Sequence, residues 1–293
     1  MSFLSYLING ISLGSVYAII ALGYTMVYGI ARMLNFAHGD IIMVGGFTVF
    51  TIVTTMGGSP VVGILASVVV CTVLGVTIER VAYRPLRDAS PLAVLITAIG
   101  VSYLLQNVAL LIFGSNARQF TSVITVPALK LADGKLSISS VTIVTILSCI
   151  VIMAALMVFI NKTKMGQAML AVSEDRGAAT LMGINVNRTI SVTFAIGSAL
   201  AAVAGVLLCS AYPSLSPYTG SMPGIKAFVA AVFGGIGSIP GAFIGGILLG
   251  IIENLAKAYI SSQLSDAIVF SVLIIVLLVR PTGILGKKMT EKV

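Results

Sequence analysis

The sequence predicts an all-α, polytopic integral membrane protein with about eight or nine transmembrane helices. Hydrophobic residues make up 58% of the 293 residues, charged residues only 9%, and the mean hydropathy is +1.12. A soluble domain of this length would need a far larger charged surface than these few charges provide. The 30 glycines, together with the lack of long alternating strand patterns, favour closely packed helices over a membrane β-barrel.

Nine apolar segments are candidates for crossing a bilayer, since a helix needs about 20 apolar residues to span roughly 30 Å of hydrocarbon. They are 6–29, 41–56, 60–79, 92–113, 141–160, 189–209, 225–236, 240–260 and 266–280. The run 225–236 is shorter than the others and is flanked by Pro223-Gly224 and by Gly237-Ser238-Ile239-Pro240. Because glycine and proline interrupt helices, we expect a broken or re-entrant segment there.

The basic residues indicate the orientation of the chain. With the N-terminus outside, the loops 30–40, 80–91 and 161–188 and the tail 280–293 face the cytoplasm and hold most of the 17 Lys and Arg residues. These are Arg32, Arg80, Arg84, Arg87, Lys162, Lys164, Arg176, Arg188, Arg280, Lys287, Lys288 and Lys292. Since cytoplasmic loops are enriched in Lys and Arg, we predict an outside N-terminus and a cytoplasmic C-terminus.

Charge and cysteine content argue against several other classes. The formal net charge is +8, but the cations are spread over short loops rather than gathered on one face, so we expect no nucleic-acid partner. Cys71, Cys149 and Cys209 all lie in apolar runs and lack the spacing of a metal or redox site. We therefore expect no metal site and no cofactor.

The charged segment 161–188 lies between two runs that are long enough to span a bilayer. Apolar residues recur near the helical period from Met165 to Met182, which predicts one short amphipathic helix over 165–183. Gly183, followed closely by two asparagines, is typical of a helix end.

Two interpretations of this helix are open: it rests on lipid, or a soluble protein binds it. Within 164–187 the only cations are Lys164 and Arg176, and there is no Trp or Phe. Such a segment would be a weak lipid anchor, so we favour a protein partner.

Four motifs follow one another along the chain: 35–40 (NFAHGD), 79–87 (ERVAYRPLR), 232–241 (VFGGIGSIPG) and 280–286 (RPTGILG). Together with the segment 177–183 (GAATLMG), they resemble the permeases of ABC importers for branched-chain amino acids (LivH type). The segment is similar to the E-A-A-x-x-x-G coupling loop of such permeases; Gly177 stands where that pattern has Glu, and Glu174 lies three residues earlier.

The resemblance implies a single permease domain over 1–293 in the inner membrane of a bacterium, with 161–188 as a cytoplasmic coupling loop. It implies that the chain lies in membrane lipid and works with two cytoplasmic ATP-binding subunits, a second related permease or a second copy of itself, and an extracytoplasmic substrate-binding protein. The chain lacks a phosphate-binding loop, so we expect a transport subunit rather than an enzyme. The implied coupling residues are Glu174, Asp175, Arg176, Ala178, Ala179 and Gly183.

Other functions remain open at this point. Permeases for urea or short-chain amides share the same motifs, and an ion-gradient-driven transporter or a membrane scaffold would also be helical. A gradient-driven transporter usually needs acids inside its spans, and Glu253 is the only acid that the predicted spans place deep within one. We find no convincing internal repeat in the sequence.

Polar and glycine residues inside the predicted spans suggest where a substrate path could lie. Gln106 and Asn107 could bind an amino acid or simply bond a neighbouring helix. The glycine-rich stretch containing Gly234, Gly235 and Gly237 could expose backbone groups to the path. We interpret Glu253 and Lys257 as a structural pair, and Gly10/Gly14 and Gly246/Gly250 as close helix contacts.

Overall fold

The computed structural model describes residues 2–87, 89–124, 127–131 and 136–286. Its α-helices are α1 (Ser2–Ala31), α2 (His38–Phe50), α3 (Pro60–Ile78), α4 (Pro91–Phe113), α5 (Ser140–Lys162), α6 (Lys164–Glu174), α7 (Arg176–Leu181), α8 (Val186–Ala211), α9 (Ser221–Gly234), α10 (Ile239–Tyr259) and α11 (Ser265–Val279). One π-helical turn extends α2 at Thr51–Thr55, and a second extends α3 at Glu79–Tyr83.

Within the described ranges, four short strands lie in the loops: β1 (Arg118–Gln119), β2 (Leu129–Leu131), β3 (Leu136–Ile138) and β4 (Ser214–Leu215). β1 pairs antiparallel with β4, and β2 pairs antiparallel with β3. The sequence analysis did not anticipate these strands, because each is too short to leave a pattern of alternating hydrophobicity.

In the described part of the chain, seven helices are long and apolar enough to cross a membrane: α1, α2, α3, α4, α5, α8 and α10. α9 and α11 are apolar but shorter, with 14 and 15 residues. A helix of 14 residues is only about 21 Å long, so the short segment predicted at 225–236 is present as α9. The predicted class, a polytopic helical membrane protein, is confirmed.

Serine followed by proline sets the start of two spanning helices. The side chain of Ser59 accepts a hydrogen bond from the backbone N–H of Val62, and Ser90 accepts one from Ala93. Pro60 and Pro91 then occupy the first helical position. Proline fits there because its backbone nitrogen has no hydrogen to leave unpaired.

α1 is the central helix of the bundle, and it packs most closely against α10. A Cβ atom at Gly10 or Gly14 would lie 2.9 or 2.7 Å from the Cα atom of Ile251 or Ile247. Conversely, a Cβ at Gly250 would overlap the backbone of Gly14, and one at Gly246 would overlap Ala18. The two predicted glycine pairs therefore face each other and form one seam, because only small residues let helix backbones approach so closely.

The outer helices α3, α4 and α5 present apolar side chains to their surroundings. Exposed examples on α4 include Ile96, Leu104 and Leu111, and similar faces run along α3 and α5. α8, in contrast, is mostly buried between α1, α2 and α3. A bundle that is apolar outside as well as inside fits a lipid environment.

One end of the bundle gathers basic residues, and we call it the basic end. There Arg32 donates a hydrogen bond to the carbonyl of Ser173, Arg87 bonds the side chain of Asn187, and Ile284 bonds the carbonyl of Phe233. Its described cations are Arg32, Arg80, Arg84, Arg87, Lys162, Lys164, Arg176, Arg188 and Arg280. Lys287, Lys288 and Lys292 lie outside the described residues. At the opposite end, the distal end, Asn254 bonds the carbonyl of Tyr6 at 2.5 Å and β1 meets β4.

α2 and α9 both begin inside the bundle rather than at either end. A Cβ at Gly23, well inside α1, would clash with the ring of His38, the first residue of α2. Gly39 in turn lies against the backbone of Gly220 and Gly224 at the start of α9. The start of α2 therefore meets the start of α9 in the interior.

These two broken helices belong to inverted units. α1 runs to the basic end, the segment 32–37 returns to the interior, and α2 continues to the distal end. α8 runs to the distal end, 212–220 returns to the interior, and α9 continues to the basic end. The two units correspond in helix order and direction and not in residue identity, so this correspondence is not visible as a repeat in the sequence.

Candidate functional site

The segment 161–188 folds into two short helices, α6 and α7, at the basic end. The single helix predicted over 165–183 is wrong, because the chain breaks at Asp175. The extended backbone of Asp175 ends α6, and its side chain accepts a hydrogen bond from the N–H of Ala178 at 2.9 Å, which starts α7. Aspartate caps a helix N-terminus well, so this break has a local cause.

One face of the two helices packs on the bundle. Met169, Val172 and Ala179 are buried. Leu181 and Met182, however, are 90% and 81% exposed, although the predicted helical face included Met182. Two large apolar side chains therefore project from the tip of α7.

Gly183 ends α7 with a positive φ of 81°. The N–H of Ile184 bonds the carbonyl of Ala179 at 3.0 Å, which closes the last turn. This arrangement favours glycine because a side chain is strained in the left-handed conformation. The predicted helix end at Gly183 is present.

Two arginines link α6 and α7 to the central helix. Arg176 donates a hydrogen bond to the carbonyl of Ala31, the last residue of α1, and Arg32 donates one to Ser173 at 2.8 Å. A cation at a helix C-terminus also complements the negative end of the helix dipole. Movement of α6 and α7 would therefore act directly on α1.

The predicted coupling residues occupy different positions in this surface. Glu174, Asp175 and Ala178 are exposed together with Gly183, Ala179 is buried, and Arg176 is half-buried against α1. Sequence reasoning missed the exposure of Leu181 and the role of Arg32. No local signal in the sequence distinguishes the exposed Leu181 and Met182 from the buried apolar residues of the same segment.

A polar cluster lies where α2 and α9 begin. The side-chain amide of Gln106 on α4 donates to the carboxylate of Asp40 at 2.9 Å and is 3.2 Å from the hydroxyl of Ser221. Asp40 and Gln106 are buried. Gln106 therefore joins three helices at the starts of both broken ones.

Asn107 lies apart from this cluster, although it is adjacent to Gln106 in sequence. It is exposed, and its side chain bonds the carbonyl of Tyr103 on its own helix at 2.8 Å. Asp40 ends the loop 30–40, which the basic residues assign to the cytoplasmic side. The structure places it in the interior instead, since α2 begins there.

His38 is buried beside this cluster. Its ring lies edge-on to Tyr24, with ring centroids 4.7 Å apart, and its Nε2 has no hydrogen-bond partner among the described residues. The segment before it is anchored by Asn35, whose side chain accepts a hydrogen bond from Tyr83 at 3.0 Å. The return of the chain into the bundle is thus held by a hydrogen bond at Asn35 and by a ring contact at His38.

The glycine-rich turn between α9 and α10 lies at the basic end. Gly235 and Gly237 have positive φ angles of 109° and 88°. The carbonyls of Phe233 and Gly234 accept hydrogen bonds from Ile284 and Leu285 at 3.0 and 2.9 Å. The carbonyl of Gly234 is therefore not among the free backbone groups expected in this stretch, because the C-terminal segment bonds it.

Glu253 is the centre of a charged cluster in the distal half. Lys257 bonds it at 2.5 Å, as predicted for a structural pair, and Lys226 on α9 bonds it at 2.8 Å. Tyr17 on α1 donates to the same carboxylate at 2.9 Å, and Lys226 also reaches Asp266 on α11 at 2.7 Å. The buried charge of Glu253 is therefore compensated, and the cluster joins four helices.

Among the residues that the structure describes, no three His, Cys, Asp or Glu side chains are placed to hold a metal ion together. The polar interior can bind through hydrogen bonds and dipoles, and the exposed tip can bind through apolar contact. A helical membrane bundle whose inverted units carry broken helices has the architecture of a membrane transporter.

Comparison with known proteins gives the family. The family described as "Branched-chain amino acid transport system / permease component" matches residues 6–277. LivH of Escherichia coli K12, a high-affinity branched-chain amino acid transport system permease protein, is 46% identical over 99% of this chain and 98% of its own length. BraD of Pseudomonas aeruginosa is 45% identical over 99% of this chain and 98% of its own length. The chain belongs to this family of transport permeases.

Proposed function

We propose that this chain is the permease subunit of an ATP-driven importer of branched-chain amino acids. The nearly full-length likeness to permeases named for branched-chain amino acid transport supports this substrate class. In this proposal, 1–293 forms a single permease domain with 161–188 as its cytoplasmic coupling loop. The chain provides the passage, and separate subunits hydrolyse ATP.

The observation that carries this proposal is the exposed apolar tip of α7. Leu181 and Met182 protrude at the end of a segment that is otherwise packed on the bundle. Large apolar side chains that protrude from a soluble-facing loop are typical of a docking surface. We propose that each of two cytoplasmic ATP-binding subunits receives such a tip in a groove, one from each permease.

The coupling residues then have separate roles. Asp175 and Gly183 shape α7, Ala179 packs it on the bundle, and Arg176 transmits its movement to α1. Glu174 and Ala178 are exposed and available for contact with the ATP-binding subunit.

We propose that the junction of α2 and α9 borders the substrate path. Both helices direct their N-terminal ends to it, and such ends favour the carboxylate of an amino acid. Gln106 would adjust the two helix starts or bond the substrate itself. Asn107 faces away from this junction and would line the path only where a second permease packs against α4. Gly234, Gly235 and Gly237 would border the cytoplasmic end of the path, which cysteine accessibility scanning of 234–241 in two transport states can test.

The remaining partners and the orientation follow from the same proposal. A second related permease, or a second copy of this chain, would complete the passage, and an extracytoplasmic substrate-binding protein would deliver the amino acid. The basic end would face the cytoplasm and the N-terminus the outside of a bacterial inner membrane, since basic residues are retained on the cytoplasmic side.

Two alternatives are less well supported. A urea or short-chain amide permease would share the motifs, but the relatives matched along nearly the whole chain are named for branched-chain amino acids. An ion-gradient-driven transporter would need an intramembrane acid free to bind the ion. Glu253 is already paired with two lysines, and the buried Asp40 accepts a hydrogen bond from Gln106. Such a transporter would also take up substrate without ATP-binding subunits.

A pair of matched methionine variants tests the proposed coupling surface, which is the exposed tip of α7 at Leu181 and Met182. Met182 at the basic end and Met56 at the distal end are 81% and 74% exposed. We expect Met182→Asp to reduce co-purification of the ATP-binding subunits and amino acid uptake by about tenfold or more, because a charge in an apolar groove is costly. Met56→Asp should leave co-purification unchanged.

The same positions test the orientation. Cysteines placed at 182 and 56 should react with a membrane-impermeant maleimide from opposite sides of the membrane. The native cysteines are buried and should not react. If Met182→Asp retained both subunit binding and uptake, α7 would not be the coupling surface and the proposal would fail.

A further inference from the structure

A cleft of about 490 Å³ lies at the basic end, between the end of α3 and the start of α8. Arg80, Arg84 and Arg188 line its rim together with Ser191. Val76 and Val192 line its apolar part. Neither the coupling surface nor the junction of α2 and α9 includes these side chains.

The cleft is strongly positive. The three arginines are exposed, and none of them forms an ion pair with a carboxylate among the described residues. Glu79, which accepts a hydrogen bond from the hydroxyl of the cleft-lining Ser191 at 2.6 Å, is fully buried and is also paired with Arg87. The N-terminal end of α8 adds the positive pole of its dipole.

Below the arginines, the surface is apolar along the length of α3. Leu65, Val69 and Val73 are 61–62% exposed and lie on one face of the helix that leads to Val76 and then to Arg80. A membrane-spanning face of this kind contacts acyl chains, and its final turns reach the level of the lipid headgroups. The positive rim and the apolar face thus match the two parts of one lipid molecule.

We propose that this cleft binds the headgroup of an anionic phospholipid, whose acyl chains lie along α3. Guanidinium groups bind phosphate oxygens with two parallel hydrogen bonds. Three positive charges favour a headgroup with a net negative charge over a zwitterionic one, whose own cation already balances its phosphate. Basic pockets between transmembrane helices bind anionic headgroups for these reasons. A soluble phosphate would use the arginines but not the apolar face, and a docked protein would not need acyl contacts.

Lipid binding to the purified full-length protein tests this proposal. The probes are phosphatidylglycerol, phosphatidylcholine and soluble glycerol phosphate, each added to delipidated protein and measured by native mass spectrometry. We expect phosphatidylglycerol to bind at least about tenfold more tightly than phosphatidylcholine, and the variant Arg80→Gln/Arg84→Gln/Arg188→Gln to remove this preference. Arg118→Gln, an exposed arginine at the distal end, is the matched control and should retain it.

Other outcomes overturn the proposal. Equal binding of phosphatidylglycerol by the triple variant would place the lipid elsewhere, and tight binding of glycerol phosphate alone would indicate a site for a free anion. Unchanged lipid preference combined with loss of the ATP-binding subunits would identify a protein-docking surface. Should the triple variant fold poorly, Arg84→Gln alone, at an exposed position, must still weaken phosphatidylglycerol binding. The Met182→Asp experiment tests coupling separately, and its result does not affect the interpretation of these lipid measurements.

Discussion

The seam between α1 and α10 and the tip of α7 both contain glycines, but their surroundings are opposite. At the seam, Gly14 and Gly250 leave no room for a side chain, since a Cβ at either position would meet the backbone of the other helix. At the tip, a Cβ added to Gly183 would meet no atom within 4 Å, and only the positive φ of 81° favours glycine there. The first region is specified by packing, and the second by backbone conformation and by its exposed apolar neighbours. Substitutions should therefore affect folding at the seam and coupling at the tip.

The largest expected effect is at the seam. Gly250→Leu should prevent accumulation of folded protein in the membrane, because α1 and α10 would have to separate along their whole contact. Gly100→Leu is the matched control, since a Cβ at Gly100 on α4 meets nothing within 4 Å. Size-exclusion chromatography of detergent extracts measures both variants. Normal elution and yield of Gly250→Leu would show that the seam is not close-packed.

The next effect concerns the charged cluster that holds α9 to α10. Glu253→Ala should lower the free energy of unfolding by about 3–5 kcal/mol, because it leaves the buried Lys226 without its buried partner. Asp266→Ala removes a second carboxylate, 41% exposed, that pairs with the same lysine. It should lower the free energy of unfolding by about 1 kcal/mol or less. Thermal unfolding in detergent compares the two. Equal losses would contradict the assignment of Glu253 as the buried centre.

The smallest expected effect on stability is at the tip. Gly183→Ala should cost about 1 kcal/mol from backbone strain alone, and Gly183→Asn less, because asparagine tolerates the left-handed conformation better. Neither should lower the yield of folded protein. Uptake by membrane vesicles should fall more for alanine than for asparagine. A large loss of yield in either variant would mean that the tip is packed and not exposed.

Much of the segment 161–188 could be predicted locally. The charged character of 161–188 and the helix end at Gly183 depend on neighbouring residues, and both are present in the structure. The break at Asp175 was missed, although Asp175 followed by a short helical stretch is itself a capping pattern. The exposure of Leu181 and Met182 could not be predicted, because periodicity alone does not reveal which face meets the bundle.

The polar interior was much harder to predict. Gln106 was identified as a polar residue inside a span, but its partners Asp40 and Ser221 are 66 and 115 residues away. Lys226 lies near the start of the predicted segment 225–236, and nothing in that segment indicates that it reaches the buried Glu253. Such pairs form only when separate helices pack together, so no short segment of the sequence contains them.

The sequence by itself determined the class of protein, most of the membrane-spanning helices and the close approach at the glycine pairs. Each of these depends on local properties: a bilayer selects apolar length, and helix contact selects small residues. Only the tertiary structure decided that α2 and α9 begin in the interior, that their units are inverted, and that α7 presents an apolar tip. These features arise from contacts between segments that are distant in sequence. Such contacts contribute free energy only once the helices have packed together.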